Sequence, residues 1–557
     1  MSLNAKLLPL AVSLALSNLA YAGQPLPTSQ IQQIQPAPQA SPAAPQVTVQ
    51  PPAATSSTVA DTTKIKVNVL HIVGIGQYSE ASLLAVTGFK PGSMLSLTDL
   101  RLMAARIADY YHQRGYFLAQ ATVTQASTQS SEVTITVLEG KFGAIKLDNH
   151  SRVHDVTLNG VTAGLHSGDT IGVAPLERSL LLLTDLPGVD VKSTLIPGAS
   201  VGASDLIVNV TPGKTISGSI DADNAGNRYT GANRMGATVN FNELAGLGDV
   251  LTLRGLTSGS GLNYGRVAYQ VQAGEGHVGA AYTAMAYKLG KQYTALQANG
   301  TAEIGSLYGS YPLIRSRNNN LYAQLDFDTK TFQDKQNATS SVSDKRIHAW
   351  MTSVNGDHTD TLGGGGVMNY SATWTHGRVN IETPSNRAND AVTVQTQGSY
   401  NKYAFSAMRL QHITDSLSFY AAANGQMASK NLDVSEKMEL GGINAVRAYP
   451  EGEAYADEGY VVNLELRQTL PQPAHVPGQL QLIAFVDSGA VTFNKTRYAG
   501  YTGANSANLS GAGVGLTWID NNDFAIKTYI ARRIDHTPAA SAPDSLSRVW
   551  LQAVKYF

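Results

Sequence analysis

At 557 residues the chain exceeds what one hydrophobic core organises, so at least two or three units are expected. Lysine plus arginine (40) nearly balance aspartate plus glutamate (41), which removes the basic surplus expected of a nucleic-acid binder. The absence of cysteine excludes disulfides and thiolate metal sites. Tyrosine (25) outnumbers phenylalanine (12) and tryptophan (4) together, a balance that fits a barrel with interfacial aromatic girdles.

The first predicted element is a secretory signal over residues 1–22. Lys6 forms a short basic region, Leu7 to Leu19 an apolar stretch, and Ala20-Tyr21-Ala22 the small-x-small pattern that predicts cleavage before Gly23. No later segment reaches the ~18–20 consecutive apolar residues of a spanning helix. If the chain crosses a membrane, it does so as a closed β-barrel, since only helices and barrels satisfy their backbone in lipid. Residues 23–63 form a linker rich in proline and glutamine, with room for one short helical turn over Thr28 to Gln35, a candidate plug of the pore.

A first α/β unit is expected over 64–142. Ile65, Val67 and Val69 alternate with polar residues as in a half-buried strand. Ser79 caps a helix that ends at Gly88, and Ser96 with Asp99 resembles a capping box ahead of a second helix. Leu100, Met103, Ala104, Ile107 and Tyr111 give that helix an apolar stripe. Gly115 stops it, and strands follow at Phe117 to Val123 and Glu132 to Leu138. A second unit, 143–215, opens at Val153 to Leu158. It continues with a helix from Pro175 through Leu183, which Pro187-Gly188 ends, and closes with strands at Val189 to Leu195 and Leu206 to Val210.

From Ile216 to Phe557 helical periodicity gives way to alternating segments separated by turn clusters such as Gly246 to Asp249, Asn318 to Asn320 and Ser385-Asn386. Tyr460, Val462, Leu464 and Leu466 share one face of a strand, while Asn463, Glu465 and Arg467 share the other. The first face suits lipid and the second a watery lumen. Leu480, Leu482, Ala484 and Val486 repeat the lipid pattern, so parity points Asp487 inward, where a carboxylate calls for a cation. At ~20 residues per strand and connection, residues 216–557 hold roughly 16 strands, enough for an aqueous channel.

The segments TDLRLMAARIADYYHQRGYFLAQATV, VTITVLEGKFGAIKL and PLERSLLLLTDLPGVDVKSTL resemble the paired POTRA (polypeptide-transport-associated) domains of two-partner secretion transporters, the TpsB family of haemolysin activation/secretion proteins. The start of the 216–557 region, with Gly226, Arg228 and Tyr229 and the Gly-Leu-Gly-Asp turn, resembles the first hairpin of TpsB barrels. Val446-Arg447-Ala448-Tyr449-Pro450 and Phe485-Val486-Asp487-Ser488-Gly489 resemble the loop and strand signatures of the TpsB and BamA superfamily. The resemblance implies an α+β periplasmic pair followed by an antiparallel transmembrane β-barrel. It also implies that Arg447, on an inward-folded loop, pairs with Asp487, making Val446, Arg447, Ala448, Tyr449, Asp487 and Gly489 a lumenal latch. Where the family has glycine this chain has Ala448, which would be strained if the backbone there took a positive φ. The terminal Phe557 resembles the recognition signal of outer-membrane barrels, although Lys555 departs from it.

Enzymatic lookalikes fail on context. Gly198-Ala199-Ser200-Val201-Gly202 precedes a strand rather than a helix, and Gly363 to Gly366 lacks the lysine of a phosphate loop. The histidines show no ligand spacing, and neither catalytic, metal nor cofactor sites are expected. The expected function is export of a partner exoprotein (an adhesin, haemolysin or contact-dependent toxin) through the outer membrane without nucleotide hydrolysis. The POTRA domains would hold that partner in the periplasm. A BamA-type assembly factor is the alternative; it usually carries more POTRA units than two. Further expectations are contact with outer-membrane lipid, dependence on the barrel assembly machinery during biogenesis, and a monomeric state.

Overall fold

Residues 46–49, 63–127, 131–472, 475–520 and 523–557 are described by the computed structural model. The signal segment with Ala20, Ala22 and Gly23, and the turn over 28–35, lie outside the described residues.

The first unit starts with two short strands, β2 (Lys64–Val67) and β3 (Val69–Val73). Helix α1 (Glu80–Thr87) is capped by Ser79 and closed by Gly88 at φ 71°, a left-handed conformation that suits glycine. A short strand, β4 (Ser93–Ser96), leads into α2 (Leu97–His112). There the Ser96 side chain accepts from the Asp99 N–H while Asp99 accepts from the Ser96 N–H, a reciprocal capping box. Strands β5 (Gln120–Ser127) and β6 (Glu132–Leu138) complete a sheet in the order β3-β6-β5. The α2 stripe packs on it through Leu100, Ala104, Ile107 and Tyr111. The Tyr111 hydroxyl donates to buried Glu139 at 2.7 Å, which also accepts the N–H groups of Gly76 and Gln77. Burial and this carboxylate push the Tyr111 phenol well above its ordinary range.

The second unit begins earlier than the sequence reading placed it. Gly140, at φ 78°, turns β6 directly into β7 (Lys141–Asn149), and Val153 to Leu158, where the unit was expected to open, instead leads into the short helix α3 (Asp155–Val161). Helix α4 (Val173–Thr184) starts two residues before Pro175. Strands β8 (Val189–Pro197) and β9 (Ala203–Pro212) follow. In the first unit β6 lies parallel to β3 and antiparallel to β5, and in the second β9 lies parallel to β7 and antiparallel to β8, so β5 and β8 occupy equivalent edges. The β8 edge carries one more strand. β1 (Gln46–Val49), from the linker, pairs parallel to it from Gln46↔Lys192 to Val49↔Leu195.

Sixteen antiparallel strands, from β10 (Ile216–Asp223) to β25 (Ser547–Tyr556), then close into a barrel, sealed by pairs from Ser219↔Tyr556 to Asp223↔Gln552. Closure removes the unpaired edge that lipid could not satisfy. The outward rows are apolar and exposed, among them Leu325, Trp350, Trp374, Tyr403, Leu464, Leu466, Leu482 and Val486. Within the periplasmic turn cluster the backbone N–H groups of Leu244, Ala245 and Leu247 all donate to Asp249. The Ser385-Asn386 cluster, read as a turn, instead lies in helix α5 (Pro384–Val392) in an extracellular loop, with proline at a first-turn position where its missing N–H costs nothing. Phe557 exchanges backbone hydrogen bonds with Gly218, and Lys555 forms an ion pair with Asp523.

The barrel is fastened to the second unit on its periplasmic side. Arg178 of α4 donates to Glu275 (2.7 Å) and to the Pro312 carbonyl (2.6 Å), while Arg315 makes a two-pronged pair with Asp185, 2.7 Å on each arm. The Gly246 carbonyl of the Asp249 turn accepts the His154 N–H.

Next to Asp249 lies Glu243, 4% exposed, whose carboxylate oxygens meet no donor within hydrogen-bond range. Burial and the Asp249 charge push its carboxyl up to about 7, the nearby Gly248 N–H offsetting part of the shift. A carboxyl raised in the folded state binds its proton when the unfolded chain has released it. Stability therefore falls as pH rises from the ordinary 4.5 to about 7, and the cost is complete above that. Glu243→Gln is expected to stabilise the junction at pH 8 by about 1–3 kcal/mol. It should also flatten the dependence of the melting midpoint on pH across this window, as followed by thermal unfolding of the purified chain.

Candidate functional site

Between β20 (Leu417–Ala428) and β21 (Glu458–Thr469) the chain does not turn back at once. Residues 429–457 fold into the barrel, where Leu440, Val446, Ala448, Tyr449 and Ala456 are buried against wall residues Val461, Ile483, Phe485 and Leu509. Apolar residues on a lumenal loop have no lipid to meet, so they drive the loop onto the inner wall.

At its tip, Arg447 is 3% exposed and meets Asp487 of β22 (Gln479–Thr492), which is fully buried. Its Nε and Nη2 donate to the two carboxylate oxygens at 2.8 and 2.7 Å, and its backbone N–H adds a third bond at 3.1 Å. The remaining arm, Nη1, donates to Glu465 of β21 at 2.7 Å. Asn463 donates to Asp487 at 2.7 Å and to the Ala445 carbonyl at 2.9 Å, tying strand, wall and loop together. Glu465 is shared with Arg467 at 2.7 Å. Two guanidiniums thus balance two carboxylates, which makes the burial tolerable.

The guanidinium lies 3.6 Å from the centre of the Phe485 ring and 5.0 Å from that of Tyr529, on β24 (Phe524–Arg533). Trp550 of β25 donates its indole N–H to the Arg447 carbonyl at 2.7 Å. Arg447 is therefore held by a planar fork, a stacked ring and a backbone clasp. An ammonium could copy only the charge.

The structure brings the other residues singled out in the sequence to the same place. Val446 is fully buried and its N–H donates to the Leu440 carbonyl. Ala448 does not take a positive φ, so the strain feared there is absent; its methyl instead faces Gly511, where any β-carbon would come within 2.5 Å. Gly489 makes the same kind of room: a β-carbon there would meet Leu440 at 2.5 Å and the Tyr460 carbonyl at 2.6 Å. Tyr449 is buried, and its hydroxyl is within hydrogen-bond reach of Asp535 and of the Thr537 carbonyl, binding the tip to the last extracellular loop, between β24 and β25. Glu465, Asn463 and Trp550 were not singled out from sequence as parts of the site, and Phe485 stood there only as a member of the strand signature. Strand parity already puts Asn463 and Glu465 on the lumen face, but their meeting with residue 447 depends on barrel register.

The arrangement has no nucleophile–base pair, and no cluster able to hold a metal ion occurs among the described residues. What it offers is a loop held across a channel by a few strong, reversible contacts.

Comparison with known proteins bears on the family and the fold. The family model described as haemolysin secretion/activation protein ShlB/FhaC/HecB matches residues 202–518, and a ShlB-type POTRA domain model matches residues 65–140. The heme/hemopexin transporter protein HuxB of Haemophilus influenzae (strain 86-028NP) is 28% identical over 473 residues, 84% of this chain and 82% of that protein. The outer membrane transporter CdiB of Dickeya dadantii (strain 3937) is 22% identical, over 76% of this chain and 74% of its own length. Among solved structures, CdiB from Escherichia coli superposes with a TM-score of 0.71 at 18% identity, covering 98% of this chain and 96% of that one. BamA from Haemophilus ducreyi lacking POTRA domains 1–3 gives 0.50 at 14% identity, covering 88% of this chain and all of that one, a likeness of fold.

Proposed function

From the premise that this chain belongs to the ShlB/FhaC/HecB family of haemolysin secretion/activation proteins, outer-membrane channels that export a partner exoprotein, we propose how its own residues carry out that export. The family match favours secretion over the BamA-type assembly role, which shares the fold. The two periplasmic units, which we read as tandem POTRA domains, receive the partner as an extended strand added to a sheet edge. Main-chain hydrogen bonds supply the affinity there, and side-chain sequence matters little.

The observation that carries this reading is the pairing of β1 with β8: one extended segment is already added to one of the two equivalent edges. Among the described residues no strand covers the outer side of β5. An incoming chain would take that edge, or displace β1 from the other. It would then pass the inward loop, which the Arg447–Asp487 latch both seats across the resting channel and holds in the conformation that export requires, and fold outside. One chain forms one pore. The partner's chemical identity is left to its ability to extend; an adhesin, haemolysin or toxin with a β-helical body would qualify.

Because the chain has no cysteine, one introduced thiol is unique. Thr122→Cys, exposed on β5, is expected to form a disulfide with a cysteine-scanned partner stalled in export, at alternate partner positions as in a strand pair. A thiol at Leu325, on the lipid face, should capture none. Equal capture at both positions would refute edge addition.

A further inference from the structure

Arg447 is not the only charge that ties the inward loop to the wall. At the loop's stem, the single turn Val434–Glu436 brings Asp433 and Glu436 against three lysines on other strands. Lys330 stands on β16 (Asn319–Gln336), Lys345 on β17 (Ser341–Asp360) and Lys402 on β19 (Gly398–His412). Lys330 donates to one oxygen of Glu436 and Lys402 to the other, both at 2.8 Å, and Lys402 also reaches the Glu436 carbonyl at 3.2 Å. Lys345 donates to both oxygens of Asp433, at 2.8 and 2.9 Å. Glu436 is 2% exposed.

Asp433 uses one of those oxygens a second time to cap the turn, accepting the Ser435 N–H at 3.0 Å. Gln426 of β20 donates to the carbonyls of both Glu436 and Asp457, joining the two ends of the loop, while Lys437 pairs with Asp457 at 2.8 Å. The wall around the lysines is apolar, with Phe332, Ile347 and Val379 fully buried. A carboxylate of the wall itself, Asp328, is 3.8 Å from Lys330, and another, Asp334, is engaged by Tyr287 at 2.7 Å. All three lysines thus make short charge-assisted bonds to the loop. Buried ammonium groups in such surroundings require them.

We propose that Lys330, Lys345 and Lys402 are a second anchor, which positions the stem of the inward loop independently of Arg447 and sets how readily the loop leaves the conduit. The inference rests on the reading above that this loop obstructs the channel. The two anchors lie on different parts of the wall. The tip is held by β21, β22 and β25, whereas the stem is held by β16, β17 and β19. A loop fixed at only one of these places could swing about it; fixed at both, it stays across the lumen.

The test is the fraction of time the purified full chain spends open in planar lipid bilayers, with folding checked by the β-sheet circular dichroism signal. Asp433→Lys and Lys345→Asp are each expected to raise the open fraction about tenfold, and the two together to return it to within about threefold of the parent. Should the reversed charges prevent folding, Asp433→Asn with Glu436→Gln keeps the shape and removes the charge, and must open the channel to the same extent. Combined with Arg447→Ala, these neutral changes should multiply its effect, as independent sites do. If Arg447→Ala opens the channel and the neutral stem changes do not, the second anchor is wrong while the obstruction stands. If neither opens it, obstruction by the loop is wrong, and the anchor falls with it.

Discussion

Arg447→Ala is expected to reduce export of the partner by about a hundredfold or more while leaving a folded, membrane-inserted barrel. The reason lies in what the change abandons. Asp487, fully buried, would lose its only cation and keep just Asn463 and the backbone N–H of residue 447, while Glu465 would keep Arg467. Breaking a buried pair from one side costs about 3–5 kcal/mol, since the remaining charge stays desolvated. At 1.4 kcal/mol per factor of ten, that shifts the balance between seated and unseated loop by two to three and a half decades. The barrel ladders are untouched, so the loss falls on loop position and not on the barrel.

Arg447→Lys should recover little of this export, because an ammonium cannot serve both oxygens of Asp487 and Glu465 in one plane. Exchanging the charges as Arg447→Asp with Asp487→Arg should recover part of it. Export is read as partner released to the medium per unit of barrel in the membrane. Undiminished release from the Arg447→Ala chain would sink the latch.

The second large effect concerns the periplasmic units. Deletion of residues 64–215 should abolish export yet preserve a conducting barrel, since the ladder of β10 to β25 closes without them. The deletion also removes Arg178 and Asp185, two of the ties that hold the periplasmic turns, here at Glu275 and Arg315. The orphaned turns face water, where losing an exposed pair costs at most about 1 kcal/mol each. A chain that still secretes its partner without these units would be a pore for which the sheet edges are irrelevant.

Much of this architecture is local in origin and therefore legible in the sequence. The capping box at Ser96 and Asp99 involves residues three apart, and the inward aim of Asp487 needs only the period of a strand. Where the reading failed, a neighbouring signal was overlooked. Lys141–Asn149 follows β6 after only Glu139 and Gly140, so the one glycine is all that marks its start. Pro384 starts a helix at a place where Ser385 and Asn386 alone imply a turn.

The site divides in the same way. Asp487 and the loop arginine stand out from parity and motif. The Trp550 clasp joins residues 103 apart, and the three stem lysines lie on three strands; only barrel register and the depth to which the loop descends bring them together. Neither quantity has a local signature.

On this account the chain alone carries a partner across a membrane. This is tested most directly by placing the purified protein in sealed lipid vesicles, periplasmic units outward, with no nucleotide present. Unfolded partner is added outside, followed by protease. Partner fragments protected inside vesicles that hold the full chain, and absent from those holding the chain without residues 64–215, are the predicted result. No protected partner with the full chain, or equal protection with both, would contradict it.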